Sequence, residues 1–594
     1  MEKGRVPQIM GTTGQVSAPA RVGEVARAVA GVLPLAVLLV LAVPFVVPFA
    51  RGLYPVSADG ILHLIRLLGL EHAAQYGDLW PRFLPGLHYG YGSPIFNYCG
   101  PISLYPALVL RLLGLGAIEA LLWTTVLWGL VGMLGAYRLG KSLGGGGTAV
   151  VLGVAWLYSS QLAYFGNLAQ FAAASFLPWV LWSFRSLALH RRRRDFVLAV
   201  AFLAAPVLTH NITAMVTAGV TVVYSAVLVW ASTDRRRTAA VLSAAFAGAL
   251  GVSMFVWLPA LAERGAVQLE RLASFDYRNY FLSLPHLLGF SPGAGGLLTV
   301  PDTLPWPQLI LAVLAVGLAL RPHGEHRAHV PLVAFAAGIA ALLVFLMLPV
   351  SSRVWEIVPL MAYVEFPSRF LIPMSLMLAI LSALSVTWVA QRIQPNWAQG
   401  LCYAACSVAI IALHLPLIDL DYHDPQPQAN TVLDAHAIER ETGWLSGTSA
   451  GEYLPTWVAE RPHSWRFTER FEQASVFPRL EPNEGVTVLE ETWGLKAGEV
   501  RIRAAEPVTL VFEWFYFPGW QAWVDGETAS ITPVGIEGMI GVDVPAGEHE
   551  VRVSFGLTPL RRAATLASGL VAAVLLAFVW RVKNLWGAPP EGQP

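Results

Sequence analysis

A succession of uninterrupted apolar runs, most of them long enough to cross a bilayer, constrains this chain more than any other feature. The runs fall at about 28 to 50, 117 to 137, 148 to 165, 172 to 189, 196 to 210, 212 to 231, 238 to 260, 306 to 320, 330 to 349, 371 to 391, 400 to 418 and 563 to 582. A helix of about 17 to 25 residues crosses the hydrocarbon core, so the pattern predicts about twelve spans, a few of them short. Composition agrees, because 55% of the 594 residues are hydrophobic and 13% are charged, against roughly 25% charged in soluble domains. The chain reads as a multi-spanning α-helical membrane protein in contact with membrane lipids. Its formal net charge of zero gives no reason to expect a nucleic-acid partner.

Charge segregation sets the expected orientation. Arg138 to Lys141, His190 to Arg194, Arg235 to Arg237, Arg321 to His329, Arg392 and the tail from Arg581 should face the cytoplasm, since short basic loops stay inside. Every assignment agrees if both termini are cytoplasmic and the run Pro101 to Leu113 does not cross. Pro101, Pro106 and Arg111 suit a helix at the interface. Residues 1–27 then form a cytoplasmic segment, and 28–419 a membrane domain with one large outer loop, 51–116. Residues 420–560 form an extracytoplasmic section, and 561–594 the final span and tail. The first run exceeds the core of a signal peptide and should remain as an anchor. Smaller outer segments are the turn at His210-Asn211 and the loops 261–305 and 350–370.

From about Glu499 the period changes to that of strands. Val508 to Tyr516, Trp520 to Val524, Met539 to Val544 and His549 to Phe555 are rich in β-formers and separated by turn pairs such as Asp525-Gly526. An antiparallel meander in a β-sandwich-like domain is expected. Its Trp514, Tyr516, Trp520 and Trp523 are either core or a surface on which sugar rings stack. Cys99, Cys402 and Cys406 are too few and too scattered for a disulfide framework and read as structural.

The chemistry-bearing stretch follows the first run. Asp59, His63 and Arg66 fall at i, i+4 and i+7, one face of a helix. They are either the polar stripe of an interfacial helix or a site at the outer mouth of the bundle. A carboxylate there, among apolar helices, has the environment that raises a pKa toward general-base work. His63 could orient Asp59, bind phosphate or share a metal, although the pair supplies only two ligands. Arg66, Arg82 and Arg369 are the outer-face guanidiniums suited to a phosphate. His210 and Asn211 mark a break between two short spans, which lines a cavity or caps a helix. Glu356 and Glu365 become second carboxylates if their loop folds back over Asp59. Glu263 and Arg264 read as a local ion pair, and Glu71 and Asp78 as loop-helix residues. The chain has no Walker loop, dinucleotide fingerprint or zinc motif.

The long loop after the first span, opening on an acid and ending in non-spanning helices, resembles the GT-C glycosyltransferases. Asp59-Gly-Ile-Leu-His63, Gly77-Asp-Leu-Trp-Pro-Arg82, Gly90-Tyr-Gly-Ser-Pro-Ile-Phe96 and Tyr98-Cys-Gly-Pro101 resemble the bacterial membrane family labelled "6-pyruvoyl-tetrahydropterin synthase-related". So do Trp355 to Leu360, Phe366-Pro-Ser-Arg369-Phe370, Gly447 to Pro455 and Phe517-Pro-Gly-Trp520. The label's pterin chemistry has no counterpart in a membrane bundle without clustered metal-binding histidines. The resemblance implies a GT-C-like fold with Asp59 as the base, assisted by His63, and a lipid phosphate bound by Arg66, Arg82, His210, Asn211 and Arg369. It implies hexosyl or pentosyl transfer from a polyprenyl-phosphate-linked sugar to a glycan, lipid or protein acceptor, outside the cytoplasmic membrane. No cofactor is required by it, a divalent cation being the one to consider. Two other classes stay open on the residues: a lipid-carrier or glycan translocase, and a non-catalytic glycan-binding envelope protein working through the β-domain. A translocase would carry broken, polar spans and internal repeats, and most spans here are Ala, Leu and Val.

Overall fold

The structure is a computed structural model and describes residues 32–52, 54–55, 59–159, 167–274, 276–289, 303–321, 324–359, 361–415, 422–423, 429–443, 447–448, 450–460 and 467–581. The expected cytoplasmic segment 1–27 lies outside the described residues. Among the described residues, each of the twelve apolar runs overlaps helix. Seven helices are long and apolar enough to cross a membrane, or up to nine if each of two bent pairs, Val32–Leu41 with Val43–Ala50 and Arg235–Val252 with Met254–Ala262, is one span. The remaining runs are met by shorter or broken helix. Arg193–Val207 has 15 residues, and Trp306–Ala319 has 14. The continuous assignment Ala117–Leu157 is interrupted at Gly144 and at Gly145, whose φ of 85° and ψ of −160° are open essentially to glycine alone. The chain folds back there, since a Cβ added at Gly140 would stand 2.8 Å from Ala149 Cα. A missing side chain thus allows two backbones to touch, as in close-packed membrane helices.

Leu371–Ala390 is the axis of the bundle. Every residue of its apolar window is buried inside the protein, whereas the window in Pro559–Arg581 is 11% buried. It packs against Ala117–Leu157, Trp306–Ala319 and Val330–Met347. With no lipid or water to serve them, its hydroxyls turn back on the helix: Ser375, Ser382 and Thr387 donate to the carbonyls of Leu371, Leu378 and Ala383, the local solution open to Ser and Thr. The basic turns gather at one end. Arg191 pairs with Asp234, His329 meets the Leu143 carbonyl and Arg193 reaches the Trp580 carbonyl, so four turns share that end. Residues 59–116 cover the opposite end.

That loop is ordered by partners far along the chain. Gly60–Gln75 is a 16-residue helix. The run Pro101–Leu112 measures about 18 Å at the helical rise, short of the ~30 Å hydrocarbon core. Arg111 fixes it through Glu71 at 2.8 Å and the Asn430 carbonyl at 2.8 Å. His88 and Tyr89 both have φ of 53°, an unfavoured backbone for residues with a Cβ. Their amides point together into the buried Glu439 carboxylate, at 3.1 and 3.0 Å. Glu439 belongs to Val432–Thr442, a helix opened by a Thr431/Asp434 capping box. Beyond it, Arg479 is buried among Phe467, Phe471, Phe477 and Trp514 and donates to the Gly90 carbonyl at 2.8 Å. Asp78 pairs with Lys496.

Apart from the two-residue pair Tyr54–Pro55 with Tyr422–His423, the strands begin at Val486, earlier than the composition indicates. One antiparallel sheet runs Val486–Gly494, Ala497–Ala504, Gly547–Phe555, Trp520–Val524, Glu527–Ala529. A second runs Val508–Phe515, Met539–Val544, Ile531–Val534. Val500, Ile502, Phe512, Ile540, Val551 and Val553 share one core between them. The order corrects the expected meander, because Gly547–Phe555 inserts between two earlier strands. Val551 and Val553 are fully buried there, on the face that shares the core with the second sheet. Trp514 and Trp520 stack inside that core at 4.9 Å, so neither presents a sugar platform. Trp523 is half-buried under Arg552. The loop end docks here, with Phe83 stacked on Phe555 at 5.1 Å.

Candidate active site

Asp59 stands at the N-cap of Gly60–Gln75, half-buried, where the loop re-enters the bundle. Burial raises its carboxyl pKa, Arg66 and Arg369 lower it, and Glu365 raises it again. These three partners therefore stand within electrostatic reach, although two of them are about 300 residues away in sequence. The helix supplies Arg66 two turns below Asp59. The turn before the axial helix supplies Glu365 and Arg369.

Both arginines are oriented by backbone carbonyls. Arg66 Nε donates to the Gly447 carbonyl at 2.9 Å, and Arg369 donates to that of Val364 at 2.9 Å. Arg369 also pairs with Glu365 at 3.0 Å and lies over the Phe366 ring at 5.1 Å. The histidines are held neutral. His63 Nε2 accepts the Leu168 amide at 2.9 Å, which places its ring proton on Nδ1. Burial drives its pKa well down, with Arg66 and His210 adding to the shift. His210 Nδ1 caps Asn211–Ala231 by accepting the Thr213 amide, and burial, then Arg369 and Arg66, takes its pKa down to about 3. The positive charge of the site is thus carried by Arg66 and Arg369.

A loop from the far side closes the group. Glu452 is buried and accepts the Ala450 amide at 3.3 Å. Burial raises its pKa, its own amide and Arg66 oppose that, and Glu365 adds to it. Beside it, Tyr453 stacks on Tyr98 at 5.5 Å and meets Cys99 Sγ at 3.3 Å. Gly447 makes this approach possible. At φ of 65°, a Cβ there would lie 2.6 Å from the Leu62 carbonyl oxygen and 2.9 Å from Arg66 Cγ. Gly447→Ala should therefore destabilise the protein by about 1–2 kcal/mol from backbone conformation alone and push the Arg66 guanidinium off the Gly447 carbonyl. Thermal unfolding of that variant checks the loss of stability.

Of the residues singled out in the sequence, Asp59, His63, Arg66, His210 and Arg369 come together. Asn211 adjoins them and donates to the Tyr98 carbonyl at 2.6 Å. Arg82 does not join: it reaches the Phe255 carbonyl and lies near Glu263 and Arg561, with burial lowering its pKa to about 10. Glu263 pairs with Arg561 at 2.8 Å and not with Arg264, because the last helix brings a buried guanidinium against it. Glu356 pairs with exposed Arg278 at 3.6 Å, away from Asp59. Glu452 was not singled out as a site residue. Its one sequence signal is its place within Gly447 to Pro455. Among the described residues no three His, Cys, Asp or Glu side chains converge closely enough to hold a metal ion. A cleft of about 360 Å³ lined by Phe49, Glu119, Trp123 and Asn430 shares no lining residue with this group.

No family model matches the chain, and no curated protein matches it. Among solved structures it is similar to the arabinofuranosyltransferase AftD from Mycobacteria, with a TM-score of 0.44 and 16% identity over 89% of this chain and 40% of that one. It is similar to ArnT from Cupriavidus metallidurans bound to undecaprenyl phosphate, with a TM-score of 0.38 and 17% identity over 68% of this chain and 74% of that one. The oligosaccharyltransferase of Archaeoglobus fulgidus, complexed with Zn and sulfate, gives a TM-score of 0.40 and 15% identity over 72% of this chain and 58% of that one. This chain thus spans 40% of the length of AftD.

Proposed function

We propose that this chain transfers a sugar from a polyprenyl-phosphate carrier to an acceptor hydroxyl at the loop end of the bundle, with Asp59 as general base. The observation that carries this reading is one carboxylate within electrostatic reach of two arginines, Arg66 and Arg369, at the end of a membrane bundle. Asp59 takes the proton of the acceptor hydroxyl, and the acceptor oxygen attacks the anomeric carbon. The bond from that carbon to the phosphate oxygen breaks, leaving a polyprenyl phosphate whose charge the two guanidiniums neutralise. Attack from the face opposite the phosphate inverts the anomeric centre. His63, with Nε2 engaged by Leu168, positions the Asp59 helix and supplies no charge. Asn211 shapes the wall of the site, and Arg82 belongs to its support. The resemblance of the long loop after the first span, opening on an acid and ending in non-spanning helices, to that of GT-C enzymes supports the donor class.

The loop end faces outward in this reading, with both termini in the cytoplasm, since the basic turns share the other end. A phosphate at the membrane surface and a lipid tail beside the bundle suit that placement. The test is transfer of radiolabelled sugar from a panel of polyprenyl-phosphate sugars by the purified protein in lipid nanodiscs. Transfer from at least one donor with inversion is the expected result. Donor binding without transfer from any member of the panel, to glycan and lipid acceptors alike, would overturn it in favour of a carrier or binding role.

A further inference from the structure

Arg369, the proposed phosphate partner, already has an anion. Glu365 Oε2 lies 3.0 Å from its guanidinium, and the two side chains are only 16% and 14% exposed. The pair belongs to the turn Met361–Val364 and Pro367–Phe370 that leads into the axial helix. Glu365 reaches this position from a left-handed backbone, φ 62°, which a residue with a Cβ adopts only when its surroundings impose it. Three turn residues therefore serve one guanidinium. The Val364 carbonyl, the Phe366 ring and the Glu365 carboxylate all take the same guanidinium.

The choice of partner is informative. Asp59 also stands near, and Glu365 and Asp59 repel one another. A loop selected for stability alone would not place a second carboxylate beside a buried first one. A carboxylate is, however, the side chain closest in charge and acceptor geometry to one edge of a phosphate ester.

We propose that Glu365 is a resident stand-in for the donor's phosphate, holding Arg369 desolvated and aimed until a phosphate monoester or diester anion displaces it. This rests on the reading of Arg369 as a phosphate partner. Exchange with a phosphate diester, which like a carboxylate carries one negative charge, leaves the charge around Arg369 unchanged. It also keeps an anion beside Asp59 in both states, so the base loses none of its basicity when the donor arrives. Selectivity follows, because only a ligand that binds Arg369 better than an intramolecular carboxylate opens the seat, and neutral lipids do not.

The experiment measures binding of radiolabelled undecaprenyl monophosphate to the full chain in phosphatidylcholine nanodiscs. Glu365→Asn and Glu365→Gly both suit a positive φ and remove the charge, so at least one should retain the fold. Each is expected to bind the lipid phosphate at least threefold more tightly than wild type, with the gain absent for the neutral alcohol undecaprenol. Unchanged or weaker binding in a folded variant overturns the proposal and makes Glu365 a positioning residue for Arg369. Arg369→Gln separates the two levels of inference. Loss of binding in it, with no gain in the Glu365 variants, removes the stand-in and keeps the phosphate site. Undiminished binding in it removes the phosphate site itself.

Discussion

Asp59→Asn is expected to lower the rate of sugar transfer by about 10²–10⁴-fold, the usual contribution of a positioned general base, while the donor still binds. The substitution keeps the shape of the N-cap and removes only the ability to take a proton. It also removes an anion that Arg66 and Arg369 both feel, so donor affinity should hold or rise. A fall in rate with affinity retained separates proton transfer from binding. The pH profile provides a second reading. A base works ionised, so the rate should fall as pH drops through the pKa of Asp59, which burial raises and Arg66 and Arg369 lower. Removing Arg66 withdraws one of the groups that lower it, so in Arg66→Gln the acid limb should move to higher pH. An Asp59→Asn protein that transfers sugar at the wild-type rate, or an acid limb that moves to lower pH in Arg66→Gln, would take Asp59 out of the chemistry.

The part of this site that was legible in the sequence is the part carried by local period. Asp59, His63 and Arg66 recur at helical spacing, and the helix duly presents them to one group of partners. The runs of apolar residues likewise mark the helices, because hydrocarbon leaves the backbone no other conformation. What period cannot give is the partner across space. Arg82 and Arg369 are equally plausible guanidiniums on paper. Only the packing of Met254–Ala262 and Pro559–Arg581 against the loop takes Arg82 to the Phe255 carbonyl, while the turn before the axial helix brings Arg369 to Asp59. Glu452 is less visible still. Its segment has no regular period, and its role depends on Gly447 meeting the Leu62 carbonyl, a contact between residues nearly four hundred positions apart. The strand order of the β-unit was illegible for the same reason. Alternation in Gly547–Phe555 shows a strand with a buried face, but not which earlier strands it separates.

Glu263→Ala should be among the most destabilising single substitutions in the chain, at about 3–5 kcal/mol, the range for a buried ion pair that loses one partner. Arg561 is fully buried and Glu263 is 10% exposed, with 2.8 Å between them. The Glu263 carboxylate also accepts Thr558 Oγ1 at 3.0 Å and Asn97 Nδ2 at 2.8 Å, and its backbone carbonyl accepts the Tyr98 hydroxyl at 2.8 Å. One side chain thus joins the helix Met254–Ala262, the loop end and the start of the final helix. Losing it leaves a guanidinium with its charge uncompensated inside the protein, which costs far more than the hydrogen bonds alone. The loss should appear as a lowered Tm in detergent, with the final helix and the β-unit released first in hydrogen exchange. The double variant Glu263→Ala with Arg561→Met decides the cause. It should recover most of the stability if the stranded charge is responsible, since a buried pair replaced by apolar groups is often tolerated. A double variant no more stable than Glu263→Ala would instead assign the loss to packing around Asn97 and Thr558. The network also ties the β-unit to the bundle. Phe517 and Phe555 lie against the Arg561 guanidinium at 5.1 and 5.7 Å, so the cation of the last helix that pairs with Glu263 is packed against the β-unit, whose Phe555 also stacks on Phe83.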